Sequence, residues 1–116
     1  MSLLRASVSA GEYAGEPCTV VILAGHAGAS ARAVLEDALM SEARKGPRRL
    51  VVDLSAVESM DSVALLVVVW ASRVLDYEDG VLTLVSASPQ VAQLLEHSGL
   101  APMLPVYGSV ADAVAG

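Results

Sequence analysis

Three short aliphatic runs, Thr19 to Leu23 (TVVIL), Arg49 to Leu54 (RLVVDL) and Val81 to Val85 (VLTLV), are separated by two stretches that are each long enough for a helix. Runs this short and this rich in β-branched residues read as strands. The adjacent Val51 and Val52 imply burial on both faces, the signature of a strand with parallel neighbours. Strands alternating with helices in this way predict a parallel sheet joined by right-handed crossovers.

The connecting segments carry their own signals. Ala31 to Arg44 repeats Val34, Leu35, Ala38, Leu39 and Ala43 at helical spacing, with Ser30 as the expected N-cap and Gly46-Pro47 as the stop. A second helix is expected from Ser62 to about Tyr77, closed by Tyr77 to Gly80. Ser88-Pro89 has the form of an N-cap with proline at the first helical position, Val91, Leu94 and Leu95 give that helix an apolar side, and Gly99 ends it. Leu3 to Ser9 reads as an edge strand, Gly11 to Pro17 as a turn, Ala24 to Ser30 as a small-residue loop and Ser55 to Met60 as a turn. Met103 to Val106 reads as a last short strand, and Ser109 and Asp112 are spaced as a capping box for a final helical turn. The expectation is one α/β domain over residues 1–116, with about five strands and about four helices.

Composition narrows the function. The net charge of -6 argues against a surface that tracks nucleic-acid phosphates. The basic run Lys45, Arg48 and Arg49 sits at a helix end, where positive charge is favourable. Cys18 is the only cysteine, so no internal disulfide forms, and beside its apolar run it reads as a small buried hydrophobe. The longest fully apolar run, Val63 to Ala71, is too short to cross a bilayer, and no signal peptide is evident. A cytoplasmic protein is expected, with no direct membrane insertion.

Catalytic patterns are missing. His26 and His97 have no partner at metal-ligand spacing, and no nucleophile elbow, Walker loop or dinucleotide glycine pattern occurs, so neither a metal nor a cofactor is expected. Glu36, Asp37 and Glu42 read as solvated helix charges. Asp53 and Asp61 could form a carboxylate pair only if strand ends bring them together, while Asp61 alone reads as a helix cap. A small α/β enzyme using Asp53 and Asp61 is therefore the weaker alternative to a binding module.

The segment DLSAVESMDSVALL, Asp53 to Leu66, resembles the signature of the STAS family, which includes anti-sigma factor antagonists and domains of sulfate transporters. The resemblance extends to LAG at Leu23 to Gly25, to VLTLVSASPQVAQLLEHSGL at Val81 to Leu100 and to the Val106-Tyr107 ending. It implies a mixed sheet with helices, and a partner that is an anti-sigma factor of the serine-kinase type. In such pairs the kinase phosphorylates the second hydroxyl of an Asp-Ser-Ser/Thr motif, which turns binding off. Carried onto this chain, Asp61 matches the motif Asp, Ser62 the first Ser, Val63 the phosphoacceptor and Ala64 the motif Gly.

Valine has no hydroxyl, so the phosphate that would break a packed interface has nowhere to attach at Val63. Gly28 stands where the family often carries an Asp near the kinase-binding surface. Three readings follow: an antagonist that is never phosphorylated, a STAS module of a lipid-type ABC transporter or larger signalling complex, or a chain in which Ser62 has become the acceptor.

The second helix is apolar for three turns, so its inner face is ambiguous. The family register turns Leu65, Val68, Ala71, Ser72 and Leu75 inward and leaves Val63, Leu66, Trp70, Val74 and Tyr77 outside. Val63, Leu66 and Trp70 are then an expected partner patch, with a homodimer through the same helix face as a further option.

Overall fold

The computed structural model describes residues 3–13, 15–86, 89–99 and 104–115, without the side chains of Tyr13 and Ala29. Its elements are β1 (Arg5–Tyr13), β2 (Glu16–Ala27), α1 (Arg32–Arg44), β3 (Arg49–Met60), α2 (Ser62–Tyr77), β4 (Val81–Val85), α3 (Pro89–Ser98), β5 (Val106–Tyr107) and α4 (Val110–Ala115). The five strands form one sheet in the order β1-β2-β3-β4-β5. β1 is antiparallel to β2, and every other pair is parallel. The α/β class and the mixed sheet agree with the sequence reading.

Because the parallel strands follow one another across the sheet, right-handed crossovers put α1, α2 and α3 on the same face. The core confirms this arrangement: Leu35 and Leu39 of α1, Val68 and Leu75 of α2 and Leu95 of α3 share a cluster with Leu23, Leu50, Val52 and Leu54. The opposite face is covered by α4, whose Ala113 packs with Cys18, Val51 and Val85. The alternation along β3 explains the buried valine pair, since Val52 faces the three helices and Val51 faces α4. Arg49 Nη1 donates to the Ala113 carbonyl at 3.1 Å, a cation near the C-terminal end of a short helix.

Several local expectations are corrected. β1 runs to Tyr13 and β2 begins at Glu16, so most of the expected Gly11 to Pro17 turn is strand. β2 continues through Ala27 and β3 through Met60, so neither Ala24 to Ala27 nor Ser55 to Met60 is loop. α1 is entered through a 3-10 turn at Ala29–Ala31, and its N-cap is Ala31, with no side-chain cap, rather than Ser30. Val34 is exposed while Leu35 and Leu39 face the core, and Glu42 is buried beside Lys45 Nζ at 2.9 Å instead of being solvated. Ser88 and Met103 lie outside the described residues, and the last strand is Val106–Tyr107, with Leu104 and Pro105 before it rather than in it.

α2 and β4 have the expected bounds. The end of α2 shows why: the Gly80 N–H donates to the Leu75 carbonyl at 2.8 Å and the Asp79 N–H to the Asp76 carbonyl at 3.1 Å. This is a Schellman termination, with Asp79 in the left-handed region at φ 57°. At Gly80 a Cβ would come within 2.7 Å of the Pro47 carbonyl oxygen, so the turn must pass close to the start of β3.

Candidate partner-binding site

Asp61 is built into the corner between β3 and α2. Its extended backbone (φ -113°, ψ 178°) is the conformation of an N-cap, and its Oδ1 accepts the Ala64 N–H at 3.1 Å. Its own N–H donates to the Ala27 carbonyl at 3.2 Å, which ties the helix start to the end of β2. Ala27 leads into Gly28, whose absent Cβ would stand 3.4 Å from Asp61 Oδ2. The fold thus brings Gly28, which follows β2, beside Asp61 of the signature segment.

The long tails of β2 and β3 make this corner. Their pairing slips between Ile22 and Ala24 and again between Gly25 and His26, each time with one extra residue on β3. At the first slip Asp53 Oδ1 accepts the Ser55 N–H at 2.9 Å, so the Asp-Leu-Ser sequence satisfies a backbone donor where the ladder is irregular. Past the second slip His26 Nδ1 and Ser59 Oγ are hydrogen-bonded at 2.6 Å, and His26 Nε2 lies 3.9 Å from Glu58 Oε2. His26 has no such partner near it in the sequence. Its partner is 33 residues away and becomes a neighbour only through strand register.

On α2 the inward group is as the family register implied, but of the outward group only Leu66, Trp70 and Tyr77 are exposed, and Val74 packs against the core. Leu65, Val68, Ala71 and Leu75 are buried and Ser72 is half-buried. Ala64 is fully buried directly beneath the cap, where a small side chain fits. Ser62 is exposed and Val63 half-buried. Leu66 is 53% exposed and Trp70 43%, one helical turn apart on one stripe. Val74 is half-buried and Tyr77 lies outside. Trp70 is not enclosed, and the helix beside it, α1, contributes Arg32 over its ring. The Arg32 guanidinium of α1 sits 5.7 Å from its ring centroid, and Arg32 Nε also reaches Glu36 Oε2 at 3.4 Å. The result is a ridge that begins at Asp61 and Ser62 and continues through Val63, Leu66 and Trp70.

The carboxylate-pair alternative does not fit this geometry. Asp53 lies within β3 and Asp61 follows its end, so the strand itself holds them on the order of 20 Å apart. Each carboxylate is engaged in a backbone hydrogen bond. Two surface depressions, about 310 Å³ between α2 and the β4–β5 end and about 840 Å³ between β1 and α1, include neither residue. Among the described residues, no group of three or more His, Cys, Asp or Glu is placed to hold a metal ion. Burial pushes the Cys18 thiol above its ordinary value, with Arg49 pulling the other way. Among the described residues no helix is long and apolar enough to cross a membrane.

The comparisons agree with this architecture. Residues 16–113 match the model of the STAS domain. The chain is 35% identical over 81 residues to the putative anti-sigma factor antagonist BtrV of Bordetella bronchiseptica, covering 70% of each protein. Among solved structures, an anti-sigma factor antagonist from Mycobacterium paratuberculosis superposes with a TM-score of 0.81 at 27% identity, over 96% of this chain and 92% of that one. The anti-sigma factor antagonist SpoIIAA in its unphosphorylated form superposes with a TM-score of 0.73 at 20% identity, over 93% of each chain, and shares the fold. The chain belongs to the STAS-domain family. It is similar in sequence and fold to proteins described as anti-sigma factor antagonists.

Proposed function

We propose that the chain is an anti-sigma factor antagonist that binds an anti-sigma factor of the serine-kinase type through the ridge at the start of α2 and is not switched off by phosphorylation there. The observation that carries the reading is Val63, which occupies the phosphoacceptor position of the motif yet carries no hydroxyl. It stands between a capping Asp61 and a buried Ala64, so the helix start keeps the family's architecture while the modifiable atom is missing. Gly28 leaves the adjacent surface without the carboxylate often found there. In place of those polar handles the ridge offers Leu66 and Trp70; tryptophan is a frequent interface anchor, and Leu66 extends the exposed apolar surface beside it.

SpoIIAA has been solved in both phosphorylated and unphosphorylated forms. For the present chain the reading predicts a single, permanently binding form in the cytoplasm. The test is capture of partners from source-cell lysate with the tagged chain, alongside Trp70→Ala (W70A). Recovery of a small kinase-type anti-sigma factor by the wild type and its loss with W70A supports the reading. Recovery of ABC transporter subunits or a larger sensory assembly with no such kinase overturns it. If ATP then labels Ser62, which is exposed one residue before Val63, the permanent-binding half of the reading fails.

A further inference from the structure

The two edges of the sheet are unlike. β5 is two residues long and follows Pro105, which is how natural sheets blunt an edge. β1 is nine residues long, lies at the other end of the strand order, and has neither proline nor lysine to block pairing. Alternate residues of such a strand direct their N–H and C=O groups away from β2, toward open space.

The sequence of β1 is itself symmetric. Ala6-Ser7-Val8-Ser9-Ala10 reads the same in both directions, with Val8 at its centre. We propose that the outer edge of β1 pairs with the same strand of a second copy, antiparallel about a twofold axis at Val8, to form a homodimer with a continuous ten-stranded sheet.

A twofold axis perpendicular to the sheet keeps corresponding faces on the same side and sets Val8 opposite Val8, Ala6 opposite Ala10 and Ser7 opposite Ser9 of the other copy. Each residue therefore meets its own type. Ala6, Val8 and Ala10 lie opposite Leu23, Val21 and Thr19 of β2, and so point to the face that carries α1. Val8 and Val34 of α1 are each 47% exposed across the depression between the two elements, so the pairing covers an apolar row that the single chain leaves open. The serines pair on the other face. Sliding the copies one way by two residues sets Glu12 opposite Ala6 in the apolar row, and sliding them the other way shortens the ladder, so the register centred on Val8 is preferred.

Charge also fits a second copy. In this register Arg5 lies opposite Gly11, and the two Arg5 side chains are about 20 Å apart along the strands. The same axis runs the two α1 helices antiparallel. Asp37, Glu42 and Lys45 border the depression, and the Lys45 ammonium, held by Glu42 of its own helix, is thereby turned toward the half of the other helix that carries Asp37. This surface is separate from the ridge of Leu66 and Trp70, so the proposal stands independently of the partner reading.

The test is sedimentation equilibrium of the full chain from micromolar to millimolar concentration, with Val8→Lys (V8K), Val8→Glu (V8E) and W70A. Val8 is half exposed, so both charged variants are compatible with the fold, and circular dichroism checks that they retain it. The wild type and W70A are expected to form a dimer. V8K and V8E, which set like charges opposite each other on the axis, are each expected to weaken it by about tenfold or more, and an equimolar mixture of the two is expected to restore it. A wild type that stays monomeric throughout, or a dimer that V8K leaves intact, overturns the proposal. Binding of an extended peptide along β1 with no self-association would show that the edge accepts a foreign strand, which also overturns it.

Discussion

Gly28 lies beside Asp61 at the end of the sheet, where a Cβ on residue 28 would stand at an ordinary contact distance of 3.4 Å from Asp61 Oδ2. The contact links the exit of β2 to the entry of α2, and the hydrogen bond from Asp61 N–H to the Ala27 carbonyl reinforces it. Replacing Asp61 with alanine removes the acceptor for the Ala64 N–H at a helix start and is expected to cost about 1 kcal/mol, near the middle of the range for lost N-caps. Asp61→Asn keeps an acceptor and is expected to lose less. Gly28 has no positive φ and its would-be Cβ contact is an ordinary one, so Gly28→Ala is expected to be nearly neutral. Urea denaturation of the three variants checks the order, and a D61A as stable as the wild type would show that the cap contributes nothing.

Thr83 is buried on β4, and its Oγ1 has no hydrogen-bond partner among the described residues. It lies opposite Val51 in the face covered by α4. A buried hydroxyl without a partner costs about 1–3 kcal/mol of desolvation, whereas valine has the same shape and no polar atom. Thr83→Val is therefore expected to raise stability by about 1 kcal/mol. An equal or larger loss in the same denaturation experiment would mean that the hydroxyl is satisfied in solution.

Asp79 holds a left-handed conformation at the end of α2, where glycine is the favoured residue. The bond from Arg48 Nη1 goes to the Asp79 carbonyl and not to its carboxylate, so it survives substitution. Asp79→Gly is expected to stabilise the fold by about 0.5–1 kcal/mol, the relief of a Cβ in that region less the extra freedom of glycine in the unfolded chain. A thermal midpoint that falls instead would show that the Asp79 side chain makes a compensating contact.

The elements carried by dense apolar patterning were legible in the sequence. α2 and β4 were read at their observed bounds because Asp61 and the Tyr77 to Gly80 segment punctuate them with caps. The tails of β2 and β3 were not, because Ala24 to Ala27 and Ser55 to Met60 are mostly small or polar, with Val57 and Met60 the only larger apolar residues, and look like loop. They are strands through backbone pairing with each other, at a register that slips twice, and no side-chain period records that. The Ser30 cap failed for a related reason: the chain enters α1 through a 3-10 turn closed by the Ala31 N–H on the Gly28 carbonyl, which moves the cap one residue on. The site divides in the same way. Asp61 through Ala64 could be aligned to a motif, and the outward stripe of Leu66 and Trp70 followed from the family's register, since the all-apolar helix has no face of its own to read. The contacts of Gly28 with Asp61, Arg32 with Trp70 and His26 with Ser59 join distant segments and needed the fold.

The measurement that tests the central claim most directly is the affinity of the kinase-type anti-sigma factor for wild type, W70A and Val63→Ser (V63S), each with and without ATP. The account predicts that ATP leaves wild-type binding unchanged, that V63S binds without ATP but is phosphorylated and released with it, and that W70A binds about tenfold or more weakly under both conditions. Release of the wild type on addition of ATP, or W70A binding as tightly as the wild type, would contradict it.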